Sequence, residues 1–180
     1  LRQSPDVILI GEVRDAVTIE AALEAAETGH LVLSTLHTVN AAQTLDRILG
    51  FFPDSAGEQV RARLAENLAG VLGQRLLPCN AGGQVPAYEL MVTNPHLRQC
   101  ILEGEPGEMA RAIAAGGPGL TSYNRCLEGL VRRRRVELDE ALAASDRPEE
   151  LLLGLRGFRS GLEKTPVSYT QLTLPTIPPV

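Results

Sequence analysis

Two apolar runs, Val7–Ile10 and Leu31–Leu33, limit what this chain can fold into more than any other feature. Neither alternates apolar with polar residues, so neither reads as a strand with one wet face. Unbroken Val, Ile and Leu runs of this length fit strands buried on both faces of a parallel sheet. Between them, Asp15 to Glu27 carries Ile19, Ala22, Leu23 and Ala26 on one helical face, and Gly29 stands where a left-handed residue ends a helix. Strand, helix, strand is a β-α-β unit, whose crossover is right-handed in nearly all cases.

Parallel strands end on the same edge of a sheet. Gly11-Glu12 follows the first run, and Ser34, Thr35 and His37 follow the second. Glu12 and His37 are therefore predicted to emerge at the carboxyl edge, where open α/β sheets bind ligands. If the strands are neighbours, their ends lie about 5 Å apart, and a carboxylate and an imidazole address one small volume. Chemistry alone leaves a shared site and a pair of unrelated loop residues equally open. Asp6 begins the first strand, roughly 20 Å from Glu12 at extended reach, and reads as a turn residue at the opposite edge. His30 begins the second strand at that far edge and reads as structural.

The segments PDVILIGEVRD (5–15) and TGHLVLSTLHT (28–38) resemble the Walker B segment and the histidine box of secretion and pilus motor ATPases, most closely the PilT-like retraction ATPases of type IV pili. The resemblance continues through AAQTLDRILGFFP, VRARLAENLAGVLGQRLL and PAYELMVTNPHLRQCILEG to about Val136. It implies an α/β fold: part of a RecA-like P-loop NTPase sheet with helices over 1–93, then a small C-terminal helical subdomain over 94–164. It also implies ATP and Mg²⁺ as cofactors, and a homo-oligomeric, hexameric ring that works with the type IV pilus machinery at the cytoplasmic face of the inner membrane. Glu12 then matches the catalytic glutamate and His37 the box histidine, placed to sense the γ-phosphate. Gly11, Thr35 and Thr38 would line the nucleotide, the threonines also steadying His37. Arg14 would contact a neighbouring subunit or pair with a carboxylate. Arg98, in HLRQCI, matches the arginine of a motif required for retraction, although His96 stands where the family has Ala. It reads as a motor-coupling residue, with Leu97 and Ile101 facing the core.

Composition sets bounds on the alternatives. A net charge of −5 gives no general nucleic-acid signature. Cysteines 79, 100 and 126 have neither CxxC spacing nor an even count, so they read as thiols in a reducing compartment and not as a metal site. The assembly ATPases of type II secretion carry a tetracysteine zinc element that is missing here, which argues against an extension motor. No apolar run of about 18 residues and no signal peptide is present, so a cytoplasmic protein reaching the membrane through partners is expected. The loop G-x-x-x-x-G-K-[ST] occurs nowhere in the 180 residues. The chain is therefore read as the C-terminal part of a longer motor, poor at holding nucleotide by itself. A binding or ring-packing module with idle catalytic residues is the competing reading.

Past the histidine box, Thr38 or Asn40 can cap a helix over Ala41 to Leu49, and Asp54 or Ser55 can open another with Val60, Leu64 and Leu68 on one face. Strands near Leu72–Leu76 and Val85–Val92 flank the turn Asn80-Ala81-Gly82-Gly83, a hairpin expected to complete the sheet edge. Short helices over Pro95–Glu103, Glu108–Ala115, Ser122–Arg134 (capped by Thr121) and Leu138–Ala144 follow. Arg132–Arg135 reads as a solvated last turn. The tail 165–180 has no charge and four prolines, matches nothing in the family, and is set aside from function.

Overall fold

The two apolar runs do pair with each other. In the computed structural model, which describes residues 5–157, strands β1 (Val7–Ile10) and β2 (Leu31–Ser34) run parallel in the register Val7↔Leu31 to Ile10↔Ser34. Helix α1 (Ala16–Glu27) joins them. The Asp15 carboxylate accepts from the Thr18 N–H at 2.8 Å to start the helix. Gly29, at φ +92°, turns the chain after it, a conformation open to glycine without steric cost.

Burial of these strands differs from the expectation. Val7, Leu9, Leu31 and Leu33 are 51%, 75%, 51% and 50% exposed. In this register Val7 stands beside Leu31 and Leu9 beside Leu33, forming one bare apolar stripe, while Ile8, Ile10 and Val32 on the other face are half-buried. The runs are apolar on both faces, but the described residues cover only one.

Asn40, and not Thr38, caps α2 (Ala41–Leu49), accepting from the Gln43 N–H at 2.9 Å. A 3₁₀ turn over Asp54–Ala56 leads into α3 (Gly57–Asn67), with Val60 and Leu64 buried. The hairpin forms as β3 (Gly70–Pro78) and β4 (Gln84–Val92), antiparallel from Gly70↔Val92 to Pro78↔Gln84. It does not complete the edge of the first sheet. Its partner is the two-residue β5 (Leu120–Thr121), in a second sheet ordered β3-β4-β5. The reason lies in its pattern: Val85, Ala87 and Met91 are buried while Tyr88 and Val92 are exposed. Such a period-two strand asks for helices on one face, not for a place in a parallel sheet.

The remaining helices are α4 (Pro95–Glu103), α5 (Pro106–Ala115), α6 (Tyr123–Arg132), α7 (Leu138–Ala144) and α8 (Pro148–Leu155), and it is α2, α6 and α7 that pack on the hairpin. Ser122, not Thr121, caps α6, because Thr121 is held in β5. Helix α8 is an element beyond those expected from the sequence, and it starts on Pro148 with Glu149 and Glu150 in its first turn, a helix-start signal. Of the arginine run, Arg132 bonds Glu128 and the Gly154 carbonyl, tying α6 to α8, while residues 133–135 are exposed.

Two apolar clusters hold the structure. One joins α1, α2 and α3 to α4 and α5 through Ile19, Leu45, Leu64, Leu97 and Met109. The other joins the hairpin to α6–α8 through Leu77, Val85, Leu127 and Leu151. Strand β4 serves both, with Met91 in the first and Val85 and Ala87 in the second. No helix among the described residues is long and apolar enough to cross a membrane. The tail 165–180 lies outside the described residues.

Candidate active site

The site grows from the carboxyl ends of β1 and β2. Immediately after the strands, the Thr35 hydroxyl donates to the Gly11 carbonyl at 2.6 Å, and the Val13 N–H donates to the Thr35 carbonyl at 3.0 Å. These two bonds continue the parallel pairing beyond the sheet and hold the loops after β1 and β2 side by side. Glu12 and His37 project from those loops. His37 Nε2 lies 3.2 Å from Glu12 Oε1, and Arg14 Nη2 lies 2.5 Å from Glu12 Oε2. Each carboxylate oxygen thus faces one nitrogen base or cation. The Arg14 hydrogen bond, the largest influence, holds the Glu12 carboxyl below the ordinary carboxylate range, with the Arg14 and His37 charges acting in the same sense.

An open cleft of about 450 Å³ surrounds this cluster, lined by Glu12, Val13, Arg14, Leu36, His37 and Thr38 and by three residues of α2, Gln43, Asp46 and Arg47. The His37 and Arg14 side chains are 89% and 77% exposed against 25% for Glu12, so the two basic groups stand at the rim and the acid lies beneath them. Such a floor accepts hydrogen bonds from a water, and such a rim donates to an anion. Thr38 Oγ1 is 2.8 Å from Thr44 Oγ1, and Thr44 in turn donates to the Asn40 carbonyl at 2.9 Å, so Thr38 ties the loop to the first turn of α2.

Arg98 is elsewhere. It is exposed on α4 and donates to the Glu66 carbonyl at 3.4 Å, while Leu97 and Ile101 on the same helix are buried. His30 lies at the far end of β2, its Nδ1 2.9 Å from the Ala25 carbonyl and 3.1 Å from Thr28 Oγ1. Asp6 is spent on pairing at that same end, its carbonyl accepting from the Leu31 N–H.

Sequence reasoning missed Gln43, Asp46 and Arg47, which α2 brings to the cleft. Helical spacing was the available signal: 43 and 47 share a face at i, i+4. It also missed Glu89, on β4, whose Oε1 accepts from the Ala41 N–H at 2.9 Å. Burial pushes the Glu89 carboxyl up, partly offset by that N–H. A carboxyl whose folded pKa is raised binds protons more readily folded than unfolded, so its ionisation lowers stability as pH rises through the carboxylate range. Glu89→Gln should therefore raise the thermal midpoint relative to the parent near neutral pH, with the gap closing below about pH 4, where the unfolded carboxylate is protonated too. Melts at the two pH values check this.

Residues 1–141 match the Type II/IV secretion system protein family. The chain is 43% identical over 150 residues to the type IV pilus retractation ATPase PilT of Pseudomonas aeruginosa, spanning 83% of this chain and 44% of that protein. It is 40% identical to the twitching motility protein of Neisseria gonorrhoeae over 84% of this chain and 41% of that one. A crystal structure of the pilus retraction motor PilT with bound ADP superimposes with a TM-score of 0.76 at 43% identity, covering 83% of this chain and 42% of the other. The chain thus spans less than half the length of these relatives. The ATPase DotB of Legionella pneumophila, at 29% identity, follows the same fold with a TM-score of 0.69 over 78% of this chain and 38% of that one. With its α/β architecture and its matched sequence in agreement, the chain belongs to the type II/IV secretion system protein family and is a homologue of the PilT retraction ATPases.

Proposed function

We propose that these residues form the C-terminal part of a ring-shaped motor ATPase that couples ATP hydrolysis to withdrawal of type IV pili. The observation that carries the reading is the 3.2 Å approach of His37 to Glu12 at the carboxyl ends of two parallel strands. Hydrolysis of a phosphoanhydride needs an oriented water and cationic or hydrogen-bonding groups near the developing charge. Glu12 supplies the acceptor that orients the water. His37, Arg14 and Arg47 supply donors at the rim of the same cleft.

The residues present fit the terminal-phosphate end of a nucleotide and not the whole of it. Bound ATP with Mg²⁺ brings the scissile anhydride and the cation that neutralises its oxygens. Among the described residues no cluster of three or more His, Cys, Asp or Glu side chains forms a metal site. Each Glu12 oxygen meets one partner and keeps a second lone pair, so the carboxylate can accept from a water while Arg14 and His37 stay in place. In a ring, Arg14 at the rim is placed to meet a carboxylate of a neighbouring subunit. Gly11 and Thr35 fix the spacing of the two loops, and Thr38 anchors His37 to α2. Arg98, exposed on α4, is the residue available to couple the ring to the pilus machinery of the inner membrane. The bare stripe of Val7, Leu9, Leu31 and Leu33 suits a sheet face covered by further helices of the nucleotide domain.

The 180-residue chain by itself should release no measurable phosphate from ATP, because backbone cradles of the P-loop type supply most phosphate contacts and the sequence holds no such loop. A phosphate-release assay at millimolar ATP tests this. Sustained turnover that Glu12→Gln abolishes would mean that the chain holds nucleotide without a P-loop.

A further inference from the structure

The loop that carries His37 must be held at both ends if its imidazole is to meet Glu12. Its upstream end is fixed by the Thr35–Gly11 and Val13–Thr35 bonds. Its downstream end passes into α2 at Asn40-Ala41, and there the grip comes from a different sheet. Glu89 Oε1, on β4, accepts from the Ala41 N–H. That N–H is among the first four of a helix, which have no partner within it, and Ala41 itself is 1% exposed. The carboxylate therefore supplies the acceptor that the buried donor lacks, at the end of a helix where negative charge is favoured.

The neighbouring strand closes in from the same side. A Cβ on Gly73 of β3 would stand 3.1 Å from the Val39 carbonyl and 2.7 Å from Tyr123 Oη, so the hairpin touches the loop where only glycine fits. Behind it, Arg75 of β3 lies over the Tyr123 ring at 4.4 Å, bonds Asp146 at 2.7 Å and donates to the Ala144 carbonyl. The histidine loop is thus seated on the hairpin, and the hairpin is strapped to the segment between α7 and α8.

We infer that Glu89 is a positioning residue: by bonding the Ala41 N–H it fixes the downstream end of the His37 loop and so sets the His37–Glu12 geometry from the second sheet. This rests on the hydrolytic reading of Glu12 and His37 and deepens it. Glu89 is not among the residues that line the cleft; its effect passes through the backbone of residues 38–41.

Two measurements test it. In the 180-residue chain, amide exchange at Ala41 and nuclear Overhauser contacts between the His37 ring and the Glu12 side chain are followed in Glu89→Ala, Glu89→Met and Glu89→Gln. Gln keeps an acceptor oxygen, Met keeps volume without one, and Met maintains the test if the Ala variant fails to fold. Faster exchange at Ala41 and loss of the His37–Glu12 contacts in Met and Ala, with both retained in Gln, is the expected result. In the full-length motor, Glu89→Met should lower kcat by about 10- to 100-fold, the scale of a misplaced catalytic group. KM for ATP should hold within twofold, and Glu89→Gln should restore kcat. Unchanged His37–Glu12 contacts in the folded Met variant, a loss confined to KM, or Gln as impaired as Met would overturn the inference. Failure of the hydrolytic reading itself looks different: Glu12→Gln would then leave turnover intact in the same motor.

Discussion

Glu12→Gln in a full-length motor carrying this segment should cut ATP turnover by about 10²–10⁴-fold, the range for removing a positioned acid–base group. Nucleotide affinity should change little. The substitution is nearly isosteric, so it leaves β1, the loop and the Thr35–Gly11 bond in place. It removes the negative charge that faces Arg14 and His37 and replaces one of the two acceptor oxygens with an NH2 donor. Arg14 already holds the Glu12 carboxyl low, which makes it a weak proton acceptor and a good fixed charge. Loss of turnover would then come mainly from loss of water orientation and charge, not of basicity. Single-turnover hydrolysis measured beside equilibrium nucleotide binding separates the two. Turnover within a few-fold of the parent would remove Glu12 from the chemistry, whatever its distance from His37.

The second large effect concerns where stability resides. Leu97 is fully buried in the cluster that joins α1–α3 to α4 and α5. Truncation there removes transfer energy and leaves a cavity, so Leu97→Ala should cost about 2–5 kcal/mol. Leu9→Ala makes the same chemical change in the middle of β1, where the side chain is 75% exposed. It should cost no more than about 0.5 kcal/mol in this chain, as surface substitutions do. Urea titrations of the two variants compare them directly. Equal losses would mean that the β1 stripe is covered in solution, as it would be if the chain self-associated through it. A concentration-dependent midpoint would reveal that association.

How far the sequence could be read varies with the range of the interactions concerned. The β-α-β unit, the Asp15 cap and Gly29 were legible because each is decided within a few residues: an apolar run, a short polar side chain beside a free N–H, a left-handed backbone. The neighbouring exits of Glu12 and His37 followed from topology alone, since adjacent parallel strands must finish on one edge. The helices of the C-terminal half were legible from Pro and Gly punctuation, apart from α8. Cap identity was less so: Thr121 and Ser122 are adjacent and chemically alike, and only the pairing of β5 with β4 decides between them.

Sequence by itself determined the local elements, the shared edge and the acid and imidazole upon it, because short-range periodicity and strand direction suffice for these. Only the tertiary structure decided that the hairpin belongs to a second sheet, that Glu89 reaches across to the Ala41 N–H 48 residues away, and that β1 and β2 keep one bare face. The physical reason is common to all three. An apolar residue or a buried donor states what kind of partner it needs, whereas which distant segment provides that partner depends on how the layers pack.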